Sequence, residues 1–374
     1  MLLATVTSVA FLGFVPAASA SPPTSATPGQ KPPPSYAEAL ASPDWVPTPV
    51  GLAYKSCLHE VPDGSFISED GVVSVNGVVI ETLPTCPYAG IVPVPHSPQA
   101  EAALAQAALN GEKNHGASAG KDGSIPRAEQ GEQALASAAA HGTKNHGVGG
   151  AANGASGATD QPAPIPWAFP NDWWLQSWWL APAQITSFSA QWVVPPNPTL
   201  TGALVYLFPS ISYTPTYAYI VQPVLQWGVG YAGGWSDAWC IVSWFYHDKY
   251  SLAYTTPVKT VAGHTIRGSM SRANGATSVW TITTHDVTAG VARSVSATTG
   301  VTNWRDAQGG VLEVYYANSC KQLPNGSVTF TGYSMQTTSG TVTPGFYVDK
   351  TNSSCYGTTT ASSVSTKLSW STTA

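Results

Sequence analysis

The sequence predicts an all-β fold for residues 164–374, a two-sheet antiparallel sandwich of jelly-roll, concanavalin-like type. Nine or more short strand-like runs follow one another there, among them SFSAQWVVPP, IVQPVLQWGV, AWCIVSWFY and GVLEVYYA, and Gly, Pro, Asn, Ser or Thr separates them. No stretch with a helical period reaches helical length in this half of the chain. Ten of the fourteen tryptophans lie between Trp167 and Trp244, where large aromatic side chains would fill the space between two sheets.

The first 163 residues have a different composition, and we expect most of them to be disordered. Residues 1–20 have an apolar centre, end in Ala-Ser-Ala and are typical of a secretory signal peptide. Residues 21–50 are rich in proline and indicate a linker. Residues 51–94 contain two cysteines and an Asn-Gly hairpin signal, and they indicate a small disulfide-closed module of pro-segment type. Residues 95–163 are a low-complexity Ala/Gly linker in which a motif recurs at an offset of 31 residues.

Five cysteines in an exported chain predict disulfide bonds, with one cysteine left over. Cys57 and Cys86 share one segment, and we expect them to pair. We expect Cys320 to pair with Cys355, which leaves Cys240 free on a strand. A bridge that involves Cys240 stays open at this point, because connectivity does not follow from sequence alone.

Charge and hydropathy exclude several classes of function. Charged residues make up 9% of the chain, the net charge is −5, and no basic stripe occurs, so we expect no nucleic-acid partner. Proline, glycine and glutamine interrupt every apolar run, so we expect no membrane span. No convincing metal-ligand set or cofactor motif is present, and we expect a monomer without either. From residue 161 onward there are only seven acidic and nine basic residues, which favours an acid-tolerant secreted protein because few groups titrate as the pH falls.

The candidate functional pair lies on two of the strand-like runs. In VQPVLQWGVG, residues 221–230, strand alternation places Gln222 and Gln226 on one face and Val221 and Leu225 on the other. Glu313 lies in the later run GGVLEVYYANSC and is the only glutamate after residue 132. A buried strand glutamine is costly unless its amide is paired, so an opposing carboxylate and amide indicate a site.

Five motifs in this order resemble those of the glutamic peptidases, the eqolisin family of secreted acid endopeptidases. They are NDWWLQSWW (171–179), SAQWVVPP (189–196), VLQWGV (224–229), VLEVYYAN (311–318) and LPNGSVTFTGYSM (323–335). The resemblance covers roughly residues 170–340 and implies a jelly-roll sandwich that hydrolyses protein or peptide substrates. It also implies that Gln226 and Glu313 are the catalytic pair. The chain departs from the family in the acidic residues around the pair, where it has Ser243 and Gly230.

Peptide hydrolysis by such a pair needs a general base for water and a donor for the oxyanion. Glu313 is the candidate base, and Gln226 could orient the water and donate to the oxyanion. Because Glu313 must be partly ionised, activity should appear at mildly acidic pH. Gln222 could bind the substrate backbone, and Trp174, Trp227 and Trp235 are candidates for the walls of a substrate groove. Trp227 also suits the core, together with Trp192, Trp239 and Trp244.

Two other interpretations stay open at the level of sequence. Glu313 could face solvent or pair with Arg267, Arg272 or Arg305, with no catalytic role. The chain could also be a catalytically inactive secreted sandwich that binds carbohydrate or cell-surface ligands through exposed aromatic side chains. The exposure of the tryptophans and the faces of Glu313 and Gln226 discriminate between these alternatives.

Overall fold

The computed structural model describes residues 29–91, 172–213, 218–273 and 279–373. The predicted signal peptide and the predicted low-complexity linker lie outside these ranges. Residues 29–91 contain the helix α1 (Tyr36–Ala41) and the strands β1 (Trp45–Thr48), β2 (Gly51–Tyr54), β3 (Leu58–Val61), β4 (Ser65–Ile67), β5 (Val72–Val75) and β6 (Val78–Thr82). Three 3₁₀ turns lie at Lys55–Cys57, Cys320–Gln322 and Ser354–Tyr356.

The remaining strands belong to the predicted sandwich. They are β7 (Asp172–Leu180), β8 (Ile185–Val193), β9 (Leu204–Tyr213), β10 (Tyr219–Trp227), β11 (Trp239–His247), β12 (Ser251–Thr255), β13 (Val258–Thr260), β14 (Thr265–Arg272), β15 (Val279–Asp286), β16 (Val291–Thr298), β17 (Trp304–Tyr315), β18 (Ser327–Thr337), β19 (Gly340–Val342), β20 (Tyr347–Lys350), β21 (Thr358–Ala361) and β22 (Thr366–Ser369).

These strands form two packed sheets, which confirms the predicted all-β sandwich. Sheet 1 has the order β20-β7-β17-β9-β10-β11-β12-β3, and β13 also pairs with β11. Sheet 2 has the order β21-β22-β18-β8-β14-β15-β16-β4-β5-β6, and β19 pairs with β18. Two pairs, β12 with β3 and β16 with β4, are parallel, so the architecture is not purely antiparallel. In both cases the residues before position 92 supply the added strand.

Strand β10 shows how sheet 1 is buried on both faces. Val221 and Leu225 belong to the core between the two sheets, whereas Val224 belongs to a separate cluster on the outer face of sheet 1. The predicted alternation is therefore confirmed, and Gln222 and Gln226 lie on the outer face with Val224. Every residue of β10 is buried, because a further layer of the chain packs on this outer face.

The covering layer is residues 29–91, which we call the cover. Trp45, Val50, Leu52 and Ala53 are buried in the same cluster as the outer face of sheet 1. Residues 29–50 thus differ from the expected linker, because they hold a helix, a strand and buried side chains. The proline-rich composition suggested a linker, but the burial comes from contacts with distant strands that composition does not reveal.

The disulfides follow the predicted pairing. Cys57 bonds to Cys86 and Cys320 to Cys355, and Cys240 is a buried free thiol. The first bridge lies within the cover and the second within residues 172–373, so no disulfide joins the two parts. In the part of the chain that the structure describes, no helix is long and apolar enough to cross a membrane.

Candidate active site

Glu313, Tyr206 and Gln226 stand side by side on three adjacent strands of sheet 1. The register pairs Tyr206 of β9 with Glu313 of β17 on one side and with Gln226 of β10 on the other. Directly paired residues point to the same face of a sheet, so all three side chains lie on the outer face. Each is completely buried. Two strand spacings separate Glu313 from Gln226, about 10 Å between Cα atoms.

Two phenols surround the Glu313 carboxylate. Tyr315, two residues along β17 and therefore on the same face, has its hydroxyl 2.5 Å from Glu313 Oε1. Burial, and after it the charge of Glu313, raises the pKa of Tyr315 and of Tyr206 well above the usual value. This shift favours the protonated form of both phenols, in which each hydroxyl can donate a hydrogen bond. Trp173 of β7 is paired with Glu313 on the other side.

Gln226 is oriented by the loop that follows its own strand. Its Nε2 donates to Gly228 O at 3.0 Å and to Gly233 O at 2.9 Å. Two carbonyl partners fix which end of the amide is nitrogen, and Oε1 has no hydrogen-bond partner among the described residues. Oε1 is therefore the end of the amide that is placed to accept a hydrogen bond.

The same loop needs glycine at position 234. Gly234 has a φ of +103°, and a Cβ there would lie 2.6 Å from Gln226 Nε2 and 2.6 Å from Gly228 O. A side chain would therefore displace the amide from its two carbonyl acceptors. The backbone of the loop thus touches the candidate catalytic glutamine directly.

The main chain of the cover lies over this group of side chains. Gln222 Nε2 donates to Pro49 O at 2.6 Å, and Tyr206 Oη lies 3.4 Å from Pro47 O. Tyr315 Oη lies 3.5 Å from Thr48 O, but its single proton serves the nearer Glu313 Oε1. Three consecutive carbonyls of the cover thus meet polar side chains from three neighbouring strands of sheet 1.

The predicted tryptophans do not all lie near the pair. Trp174 and Trp227 belong to the core between the sheets, on the opposite face from Gln226, so they fill the core instead of lining the site. The physical reason is parity, since Trp227 directly follows an outward-facing residue. Trp235 is half-buried against the outer-face cluster, and the Lys259 ammonium lies 4.8 Å from its ring centroid. It is the only described tryptophan that is not buried.

Sequence reasoning missed Tyr206, Tyr315 and the cover carbonyls. Tyr315 was accessible from alternation, because it stands two residues after Glu313. The role of Tyr206 could not be predicted in this way. Its position between Glu313 and Gln226 depends on the pairing of β9 with β10, about twenty residues away, and with β17, about one hundred residues away. Within the described ranges, no three His, Cys, Asp or Glu side chains are grouped so that they could hold a metal ion.

Comparisons with known proteins give a distant likeness. No family model matches the chain, and no curated protein matches it. Among solved structures, scytalido-glutamic peptidase with a transition state analogue inhibitor is 14% identical with a TM-score of 0.41, and the match covers 53% of this chain and 98% of that one. SCP-B, a member of the eqolisin family in complex with the tripeptide Ala-Ile-His, is 14% identical with a TM-score of 0.39, and the match covers 53% of this chain and 98% of that one. Aspergilloglutamic peptidase from Aspergillus niger is 15% identical with a TM-score of 0.33, and the match covers 45% of this chain and 98% of that one.

Proposed function

We propose that this chain is a secreted acid endopeptidase of the glutamic type, with Glu313 and Gln226 as its catalytic pair. The observation that carries the proposal is the row formed by Glu313, Tyr206 and Gln226, in which a buried carboxylate and a buried amide share one face of sheet 1. The order of sequence motifs around both residues supports the same conclusion. The burial of all described tryptophans except Trp235 disfavours the alternative of a glycan-binding surface built from exposed aromatics.

Each group has a defined task in the proposed reaction. Glu313 takes a proton from a water molecule as the water oxygen attacks the scissile carbonyl carbon, and it returns that proton to the leaving amine. Gln226 Oε1, which has no hydrogen-bond partner among the described residues, accepts a hydrogen bond from the attacking water. Gln226 Nε2 donates to the oxyanion after it exchanges the carbonyls of Gly228 and Gly233 for that oxygen. A neutral amide keeps this role in acid because it does not titrate.

The chain would be latent while the cover is in place. Residues 47–49 lie over the face that carries the pair, and the site has no open access to a substrate. Activation then requires displacement of the cover, which is joined to the sandwich in sequence only through residues 92–171. Two disulfides favour export, because such bonds persist in oxidising compartments.

The test is cleavage of a denatured protein substrate between pH 2 and 6. The full chain would be compared, intact and after a single cut at a site-specific protease sequence introduced within residues 92–171. The cut leaves the cover free to dissociate from the sandwich, whereas in the intact chain residues 92–171 keep it tethered. We expect acid activity in the cut chain, little in the intact chain, and a loss of at least about a hundredfold in Glu313→Gln or Gln226→Ala, as for removal of an acid–base or oxyanion group.

Glu81→Gln is the matched control for Glu313→Gln, because Glu81 is an exposed strand glutamate far from the row. It should leave the activity unchanged. Activity that survives both substitutions in the row would place the chemistry elsewhere. A folded, cut chain with no activity at any pH would refute the assignment as a peptidase.

A further inference from the structure

We propose that Tyr315 is a positioning residue for the proposed reaction, which binds one oxygen of the Glu313 carboxylate and favours its ionised form in acid. This role deepens the proposed function and rests on it for its biological sense, because a general base has a purpose only where a reaction takes place. The contact itself, and the titration that tests it, are independent of hydrolysis. A phenol at this place lets a completely buried carboxylate act as a base at low pH.

The surroundings of Glu313 oppose its ionisation. The side chain is completely buried, and loss of water disfavours the charged form of a carboxyl group. Its direct neighbours in the sheet are Trp173 of β7 and Tyr206 of β9, which carry no positive charge. A general base must be ionised before it can take a proton, so a donor at the carboxylate oxygens favours the active form against the burial.

Tyr315 supplies such a donor from the same strand. It stands two residues after Glu313 in β17, on the same face of sheet 1, and its hydroxyl lies 2.5 Å from Glu313 Oε1. The ring is completely buried in the outer-face cluster. It makes an edge contact with the ring of Tyr206, with 6.4 Å between the centroids and 77° between the planes. This packing fixes the hydroxyl, which occupies Oε1 and leaves Oε2 to take the proton from the attacking water.

The phenol is the donor in this contact. Burial, and after it the charge of Glu313, raises the pKa of Tyr315 well above its usual value, and by reciprocity the phenol favours the ionised form of Glu313. The other titratable groups that act on Tyr315 or Tyr206 in the described part of the chain are the phenols of Tyr36, Tyr254 and Tyr316 and the thiol of Cys240. Phenols and thiols stay neutral below about pH 6, so Glu313 is the group in this set that changes charge in acid.

The cover does not compete strongly for this hydroxyl. Thr48 O of the cover lies 3.5 Å from Tyr315 Oη, against 2.5 Å for Glu313 Oε1. The nearer, charged acceptor forms the stronger bond with the single phenolic proton. We therefore expect the contact between Tyr315 and Glu313 both with the cover in place and after its displacement. For this reason the titration can be measured in the intact chain, without the cut that the activity test requires.

The first experiment follows the ionisation of Glu313 by carbon-13 NMR in the full chain, labelled at the side-chain carboxyl carbon of glutamate. The signal of Glu313 is the one that is missing in Glu313→Gln. Tyr315→Phe keeps the ring and removes only the hydroxyl. We expect it to raise the titration midpoint of Glu313 by about one pH unit or more, as for loss of a hydrogen bond to a charged group. An unchanged midpoint would overturn the assignment.

Two further variants separate this role from a structural one. Tyr333→Phe is the matched control, because Tyr333 Oη donates to Gly309 O at 3.0 Å and its ring packs against the core between the sheets. It should leave the midpoint unchanged. Replacement of Tyr315 by a fluorinated tyrosine keeps the ring and the hydroxyl but makes the phenol a stronger donor, so the midpoint should fall. A midpoint that moves in the same direction in both variants of Tyr315, or as far in the control as in Tyr315→Phe, would contradict the proposal.

The second experiment measures the pH dependence of kcat/KM for a denatured protein substrate in the cut chain. We expect Tyr315→Phe to move the acid limb of the profile upward by the same interval as the NMR midpoint, because both report the ionisation of the base. For a shift of one pH unit, activity below the limb falls about tenfold. Tyr333→Phe should keep the wild-type profile.

The two proposals fail separately. A midpoint that depends on Tyr315, in a cut chain that hydrolyses no substrate at any pH, refutes the peptidase assignment alone. Acid cleavage that is lost in Glu313→Gln, with a midpoint and a pH profile that are indifferent to Tyr315, refutes the positioning role alone.

Discussion

Leu52 of the cover offers a direct test of how the cover is held in place. The side chain is 1% exposed and lies in the outer-face cluster of sheet 1. Leu52→Ala removes three buried carbon atoms at about 0.8 kcal/mol each and leaves a cavity, so the total cost is about 3 kcal/mol. That cost falls on the closed state of the cover and raises its open population roughly a hundredfold.

Hydrogen exchange followed by mass spectrometry measures this opening strand by strand. The β1 and β2 amides of Leu52→Ala should exchange about a hundredfold faster than those of the wild type, whereas β10 and β11 should keep their protection. Leu40→Ala is the matched control, because Leu40 is 40% exposed and its truncation should change stability by less than about 0.5 kcal/mol. Equal acceleration in all strands would refute the reasoning, since the cover and the sandwich would then open as one unit.

Three further predictions concern the loop that follows β10, the stability of the chain in acid, and the pH dependence of the cover. Gly234→Ala should destabilise the chain by about 2 kcal/mol in thermal unfolding, because its Cβ would displace the Gln226 amide, and Gly263→Ala, with a φ of +89° and open space around it, should cost less. Burial raises the pKa of Asp286, but three hydrogen bonds outweigh it and hold the pKa below 3.8. Asp286→Asn should therefore cost about 2 kcal/mol at pH 6, and the difference from wild type should vanish as the pH falls through the folded pKa; a difference that persists at pH 2 would contradict this. Burial lowers the pKa of His59 below 6.5, so the cover should lose hydrogen-exchange protection as the pH falls below about 6.5, and His59→Gln should lose less over the same range.

Local patterns in the sequence predicted the parts of the fold that depend on neighbouring residues. Alternation along residues 221–226 placed Gln222 and Gln226 on one face, and the structure confirms that division. The same rule predicts that Trp227 faces the core between the sheets, because it directly follows Gln226, which faces outward. Candidate roles for tryptophans were therefore better judged by strand parity than by residue type.

The features that the sequence could not predict depend on the pairing of strands that are far apart in the chain. The position of Tyr206 between Glu313 and Gln226 follows from the register of three strands, and no local pattern encodes that register. The location of residues 45–50 depends on contacts with strands more than a hundred residues away. Their prolines suggested an extended linker, but residues 45–48 form β1, residues 49 and 50 form the turn to β2, and the hairpin packs on the outer face of sheet 1.

The two parallel strand pairs have a consequence for self-association. Strand β3 covers the edge of β12 in sheet 1, and β4 covers the edge of β16 in sheet 2. A chain that lost the cover would present both edges on the same side of the sandwich, and unpaired edges are templates for pairing with other molecules. The covered chain should therefore tolerate a higher concentration than a chain without the cover. The uncovered chain would have to work while dilute, because crowding would favour filaments of edge-paired sandwiches over separate molecules.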